Sequence, residues 1–319
     1  MSKTDHAQRT ATEPRDAALH TVTIRQVDQI NDHIRIFRLG IPPSTGSIKF
    51  LPGQWLDTFV PGLSKPGGFT ITSPPSAAVL PAQKDGAGAE ALSTADTPGP
   101  SSPAYPYLEL AIQKSPDNPA AQYLWRDDPP TSLLGTELRV RVGGSFVWPP
   151  PTLPPPDLAA LRRVVFVAGG VGVNPLMSMV SHLAELPPGE RGGCDVRFLY
   201  SMRDPGPEGR TAGAMLFLER LAAAFGRGRL RGQLRLFLTG GSGGDEGEGG
   251  VIRCGDRDVP FLRRRISKAD LADAVGEEKG SAVVYICGLP TMTDEFVEEL
   301  TSPTGLGMDG DRVLCERWW

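Results

Sequence analysis

The chain has 319 residues, which at roughly 150 residues per domain suggests two domains. Its formal net charge is −4, without the basic surplus of a nucleic-acid or anionic-membrane binder, and no apolar run approaches the ~20 residues that span a bilayer. Four cysteines and four histidines are scattered, with no CxxC and no ligand spacing, so neither a metal site nor a disulfide framework is expected and the thiols suit a reducing compartment.

Residues 1–20 have no apolar stretch of a secretory signal, and Asp5, Glu13 and Asp16 are out of place in a mitochondrial transit peptide. They read as a disordered leader, and the location as cytoplasmic, with mitochondrial as the alternative. From Thr21 onward the pattern is β. Val22 and Ile24, Ile34 and Ile36, Leu108, Leu110 and Ile112, and Leu138, Val140 and Val142 each alternate with other residues. Trp55 to Val60 follows the turn Leu51-Pro52-Gly53-Gln54, and Phe69-Thr70-Ile71-Thr72 is a short strand closed by Ser73-Pro74-Pro75. Short period-two strands with turn signals predict an antiparallel barrel over 21–148. Residues 77–104 are rich in Ala, Gly, Ser, Thr and Pro, and are expected to be a disordered insert in a barrel loop. Six prolines in the eight positions 149–156 predict a stiff, extended linker over 149–158.

After the linker, over 159–319, strands alternate with helices. Strands are predicted at Val164 to Ala168, Val196 to Tyr200, Leu234 to Leu238, Ala282 to Ile286 and from Arg312 onward. Helices are predicted around Ala214 to Ala224, after the capping box Ser267-Lys268-Ala269-Asp270, and from Pro290 to about Leu300. This alternation is that of a doubly wound parallel sheet, whose ligands bind at the carboxyl ends of the strands. Residues 240–250, glycine- and acid-rich, are expected to be a second disordered insert.

The most informative stretch is Arg163 to Met179. A buried strand runs directly into Gly169-Gly170-Val171-Gly172, and Val173-Asn174-Pro175 opens an apolar helix. Glycines allow phosphates to approach the backbone, proline suits a first helical turn, and the helix start offers free N–H groups. The stretch therefore reads as a pyrophosphate-binding strand–turn–helix, or else as a tight turn between buried elements.

In this order the motifs resemble the ferredoxin–NADP reductase family of flavin-dependent oxidoreductases. Pro52-Gly53-Gln54 resembles its PGQ turn, and Phe69 to Ser73 its flavin strand. Tyr123-Leu124-Trp125 with Gly135 to Phe146 resembles the segment that closes its barrel. Gly169 to Pro175 matches its GGxGxxP loop, and Cys287-Gly288-Leu289-Pro290-Thr291-Met292 its Cys-Gly-x-Pro-x-Met segment. Glu316 with Trp318-Trp319 resembles its aromatic ending. Within the family, the Gly-Gly-Phe strand and the Trp-Trp end resemble the branch of oxidoreductase NAD-binding domain-containing proteins.

The resemblance implies a two-domain α+β protein, a flavin-type antiparallel barrel followed by an α/β nucleotide domain. FAD (or FMN) would be the cofactor and NAD(P)H the co-substrate, with an external electron-acceptor protein. The backbone of Phe69, Thr70, Ile71 and Thr72 would meet the isoalloxazine edge, with the Phe69 ring over its face. Gly169, Gly170, Gly172, Val173, Asn174 and Pro175 would hold the pyrophosphate of NAD(P)H. Cys287, Gly288, Pro290 and Met292 would flank the nicotinamide, Glu316 would orient its amide or relay a proton, and Trp318 and Trp319 would stand near the flavin. Ser201 and Arg203, after the second strand, are candidates for a 2′-phosphate. Two departures stand out. Gly67 stands where the family has the arginine that pairs with the flavin phosphate, and Ala121 where it has a phosphate-binding hydroxyl. A held flavin, a free flavin used as substrate, and a non-catalytic nucleotide-binding protein therefore all remain as readings.

Overall fold

The computed structural model describes residues 6–80, 105–126, 129–187, 193–226, 228–240 and 247–317. In chain order the helices are α1 (His6–Arg9), α2 (Pro119–Trp125), α3 (Pro155–Ala160), α4 (Val173–Glu185), α5 (Leu218–Phe225), α6 (Lys268–Val275) and α7 (Pro290–Thr301). The first six strands are β1 (His20–Asn31), β2 (Ile34–Gly40), β3 (Trp55–Phe59), β4 (Gly67–Thr70), β5 (Tyr107–Gln113) and β6 (Glu137–Gly143). They form an antiparallel sheet in the order β4-β3-β6-β1-β2-β5. Leu138, Val140 and Val142 on β6 and Leu108, Leu110 and Ile112 on β5 are buried, as their period of two requires. Just past β4, Ile71 bridges Leu110 of β5, joining the two edges so that the sheet closes on itself.

The remaining strands are β7 (Arg163–Gly169), β8 (Asp195–Arg203), β9 (Gly232–Thr239), β10 (Gly247–Cys254), β11 (Arg257–Arg263), β12 (Ala282–Cys287) and β13 (Val313–Glu316). Their order is β10-β11-β9-β8-β7-β12-β13, parallel except for the antiparallel β10–β11 pair. Val164, Phe166 and Ala168 of β7 face one core, and Val165 and Val167 face the other. A strand buried on both faces explains its unbroken apolar run. The fold is thus a mixed α+β arrangement of an antiparallel barrel and a mostly parallel sheet.

Several expectations are corrected. Described residues of the leader are ordered against the barrel. His6 is buried, its Nε2 lies 2.9 Å from Asp57 Oδ1, and Arg15 forms a bridge with Gly143 of β6. The leader is poor in apolar residues, and pairing with a buried carboxylate orders it instead. The proline-rich linker is not extended throughout: Pro155 and Pro156 begin α3, where missing N–H groups cost nothing. Of the glycine-rich insert, 247–250 open strand β10, where a ladder with β11 supplies the bonds that composition does not reveal. The helix expected from Ala214 starts at Leu218, after Phe217 in a left-handed conformation (φ 58°). Residues 81–104, 241–246 and the pair 318–319 lie outside the described residues.

Candidate active site

Four parallel strands deliver their carboxyl ends to one edge of the sheet. β7 ends at Gly169, which is in register with Ser201 of β8. On the other side Ala168 pairs with Cys287 of β12, and Cys287 pairs with Glu316 of β13. The sheet therefore brings Ser201, Gly169, Cys287 and Glu316 into one row. A single turn, Gly170–Gly172, connects β7 to α4. Gly170 has φ +55° and open space where a Cβ would point, so one side of the turn is free to meet a ligand. Gly172 is required for a different reason. A Cβ there would fall 2.1 Å from the carbonyl oxygen of Cys287 and 2.8 Å from the nitrogen of Gly288. Gly169 and Gly288 also approach each other closely, with Met292 beside both. The two glycine motifs, more than a hundred residues apart, are one contact.

Helix α4 carries no side-chain cap on its first turn. Its first half, Val173 to Val180, is buried all round because it is held between the sheet and the barrel. Asn174 Nδ2 donates to the carbonyl of Ala111 on β5 at 2.9 Å, and the Ser178 hydroxyl donates to the carbonyl of Ser73 at 2.8 Å. At the end of β8, Arg203 is exposed, whereas Arg210 grips Asp204 through two bonds of 2.9 and 2.6 Å. Those hydrogen bonds lead the causes that hold the Asp204 carboxyl below its usual range.

On the barrel side, Phe69 is only 9% exposed and belongs to the barrel's interior cluster. The N–H of Ile71 donates to Gln54 O, and that of Thr72 to Glu109 O. The Thr72 hydroxyl donates to Glu109 Oε1 at 2.8 Å. At the start of β4, a Cβ on Gly67 would meet Ala120 Cβ at 2.6 Å and the Phe69 ring at 2.9 Å. The N–H groups of Ala120 and Ala121, at the start of α2, both donate to the Asn118 side chain.

No family model matches the chain. A protein of Bos taurus named oxidoreductase NAD-binding domain-containing protein 1 is 28% identical over 322 residues, covering 99% of this chain and 85% of that protein. Among solved structures, the flavohem-like FAD/NAD-binding domain of nitric oxide dioxygenase from Vibrio cholerae aligns with a TM-score of 0.58 at 16% identity, covering 93% of this chain and 97% of that one. The CS-b5R domains of human Ncb5or, in the NAD+ form, align with a TM-score of 0.59 at 16% identity over 93% of this chain and 69% of that one. The chain is thus similar to oxidoreductase NAD-binding domain-containing protein 1, and its fold is that of these FAD/NAD-binding domains.

At the carboxyl edge, two features would suit a pyridine nucleotide: an uncapped helix start and a glycine turn open at Gly170. The groups named for a flavin fit less well. The Phe69 ring is enclosed in the barrel instead of lying on an open face, because Gly67 and Ala120 leave room for it there. The phosphate end has neither the arginine nor free helix N–H groups, since Asn118 takes the latter. Asn118-Pro119 is a cap followed by a first-turn proline, a signal from which α2 could have been found. Sequence reasoning also missed Asp57, Glu109 and Arg220. Glu109 sits between Leu108 and Leu110 in an alternating strand and reads as solvent-facing, yet α5 covers it. Trp318 and Trp319 lie outside the described residues.

Proposed function

We propose that the chain is an NAD(P)H-dependent oxidoreductase that uses flavin as an exchangeable substrate, with electrons passing on to an acceptor outside the chain. One observation carries this reading: Gly172 stacks on the Cys287–Gly288 backbone, which aligns the nucleotide loop with the strand end that would flank a nicotinamide. Gly170, Gly172 and the start of α4 would hold the pyrophosphate. The buried Cys287 would pack beside the nicotinamide as a small apolar wall rather than act as a nucleophile. Glu316, in register with Cys287, would orient the carboxamide. The nucleotide would supply a hydride, two electrons and one proton, to the flavin, with one further proton drawn from solvent. The filled space at Gly67 and the capped start of α2 favour exchange over a held FAD or FMN. Arg203, exposed beside Ser201, supports use of NADPH as well as NADH.

The test is NAD(P)H oxidation by the purified protein, with and without added flavin. Turnover only on adding FAD, FMN or riboflavin, from a colourless preparation, is the expected result. A yellow protein that bleaches anaerobically with NAD(P)H means a held flavin instead. No oxidation under either condition, with nucleotide still bound, would leave a non-catalytic binding protein and sink the reductase reading.

A further inference from the structure

A buried acid joins the two halves of the molecule. Glu109, on β5 of the barrel, is 2% exposed. Its Oε1 accepts from Arg220 Nη1 at 2.5 Å and from the Thr72 hydroxyl at 2.8 Å, and its Oε2 accepts from Arg38 Nε at 3.3 Å. Arg38 belongs to β2 of the same barrel, whereas Arg220 comes from α5, on the parallel sheet. Its backbone ties it to the strand beyond β4: its N–H donates to the Ser73 hydroxyl, and its carbonyl accepts from Thr72 N–H. Ser73 in turn accepts from Ser178 of α4.

The charge balance shows what Arg220 adds. Burial alone would raise the Glu109 carboxyl, but the charge and hydrogen bond of Arg220, the Thr72 hydroxyl and the charge of Arg38 outweigh it and hold it ionised. Arg38 already supplies one positive charge from within the barrel. Arg220 is a second, brought from the other sheet, and it stacks over the Phe217 ring at 4.8 Å. Arg220 therefore does two things at once: it holds Glu109 ionised and it ties α5 of the parallel sheet to the barrel.

We propose that Glu109 and Arg220 are a positioning pair that sets how the barrel meets the start of α4, and thereby how an acceptor approaches the nicotinamide. This rests on the NAD(P)H reading above. Neither residue of the pair is among those placed at the nucleotide site. It acts through Thr72, Ser73 and Ser178, the residues that lie between it and the glycine loop.

The experiment compares Glu109→Gln, Arg220→Met, their double variant and Arg220→Lys with the parent in the full chain. Amide hydrogen exchange is read at 107–113 and 174–180 without nucleotide, NADH affinity by titration, and turnover with added riboflavin. Both single variants should raise exchange in the two segments and lower turnover by on the order of tenfold, with NADH affinity within about twofold of the parent. The double variant should be no worse than the worse single one, and Arg220→Lys should restore most of the turnover. Unchanged exchange at 174–180, additive effects in the double variant, or raised exchange with parental turnover each overturn the proposal. Loss of NADH binding by the parent chain would instead defeat the nucleotide reading, while exchange still reports on the pair.

Discussion

Asp57 shows how one carboxylate organises a segment. It is fully buried on β3, and its oxygens accept from His6, from Arg15 at 3.0 Å, and from Arg141 at 3.0 and 2.6 Å. Burial alone would raise its pKa, but the hydrogen bonds from His6, Arg141 and Arg15 outweigh burial and lower it from 3.8 to about 2. A carboxyl depressed on folding stabilises the folded state above its ordinary pKa, and that contribution fades as pH falls from about 4 through about 2. The shift corresponds to about 2 kcal/mol. Denaturant unfolding of the parent between pH 5 and pH 2 should therefore lose about 2 kcal/mol more than that of Asp57→Asn; parallel pH profiles would show that the cluster adds nothing. Asp57 was not legible in the sequence, where it is one polar residue in a short strand and its partners lie 42 to 84 positions away. Arg203, named from the sequence as a 2′-phosphate candidate, is the exposed last residue of β8. Arg203→Ala should raise the KM for NADPH by about tenfold or more, the worth of a charged hydrogen bond, and leave that for NADH nearly unchanged. Equal effects on both would remove Arg203 from the 2′-phosphate site.

At the scale of elements, the strand–turn–helix from β7 to α4 was legible in full, because a doubly buried strand, glycines and a first-turn proline each leave a local mark. What it could not reveal was that its glycines serve two purposes. Gly170 has open space beside it and a left-handed backbone, whereas Gly172 lies against the Cys287 carbonyl. Gly170→Ala should cost stability only about 1 kcal/mol, the price of a left-handed alanine, while weakening NAD(P)H binding, since the methyl enters the open side of the turn. Gly172→Ala must push apart β7 and β12, so it should lower the melting temperature markedly and abolish binding with it. Thermal unfolding and nucleotide titration of the two variants separate these outcomes; a Gly170→Ala protein with parental affinity would move the pyrophosphate elsewhere. The β10–β11 hairpin shows the opposite case. Its first strand begins with Gly247, Gly249 and Gly250, residues that carry no periodic pattern, and only the ladder with β11 makes them a strand.

For the whole molecule, the contacts between barrel and sheet decide whether it behaves as one body. Asn174 bonds to Ala111, Ser178 to Ser73, and Arg220 to Glu109, and the Tyr285 hydroxyl donates to the Val147 carbonyl at 2.9 Å. Burial raises the Tyr285 hydroxyl well above its usual range, so it stays a donor at any physiological pH. The Phe146 ring meets the Tyr285 ring edge-on at 5.4 Å, so the last barrel residues extend the core of the parallel sheet. An interface of buried hydrogen bonds and shared apolar packing couples the two halves, because opening it would break those bonds. Unfolding should therefore be a single transition by circular dichroism and by tryptophan fluorescence alike, although three of the five tryptophans precede the parallel sheet. On the proposed reading NAD(P)H would bind at the sheet, and it should then raise that one transition, by about 2.7 kcal/mol at a hundredfold excess over its Kd, and slow amide exchange in β5 of the barrel as well as in α4. Two separate transitions, with only the nucleotide-bound half stabilised, would mean that the contacts at Asn174, Ser178 and Tyr285 do not transmit binding, and that the barrel senses the nucleotide only when an acceptor bridges the two.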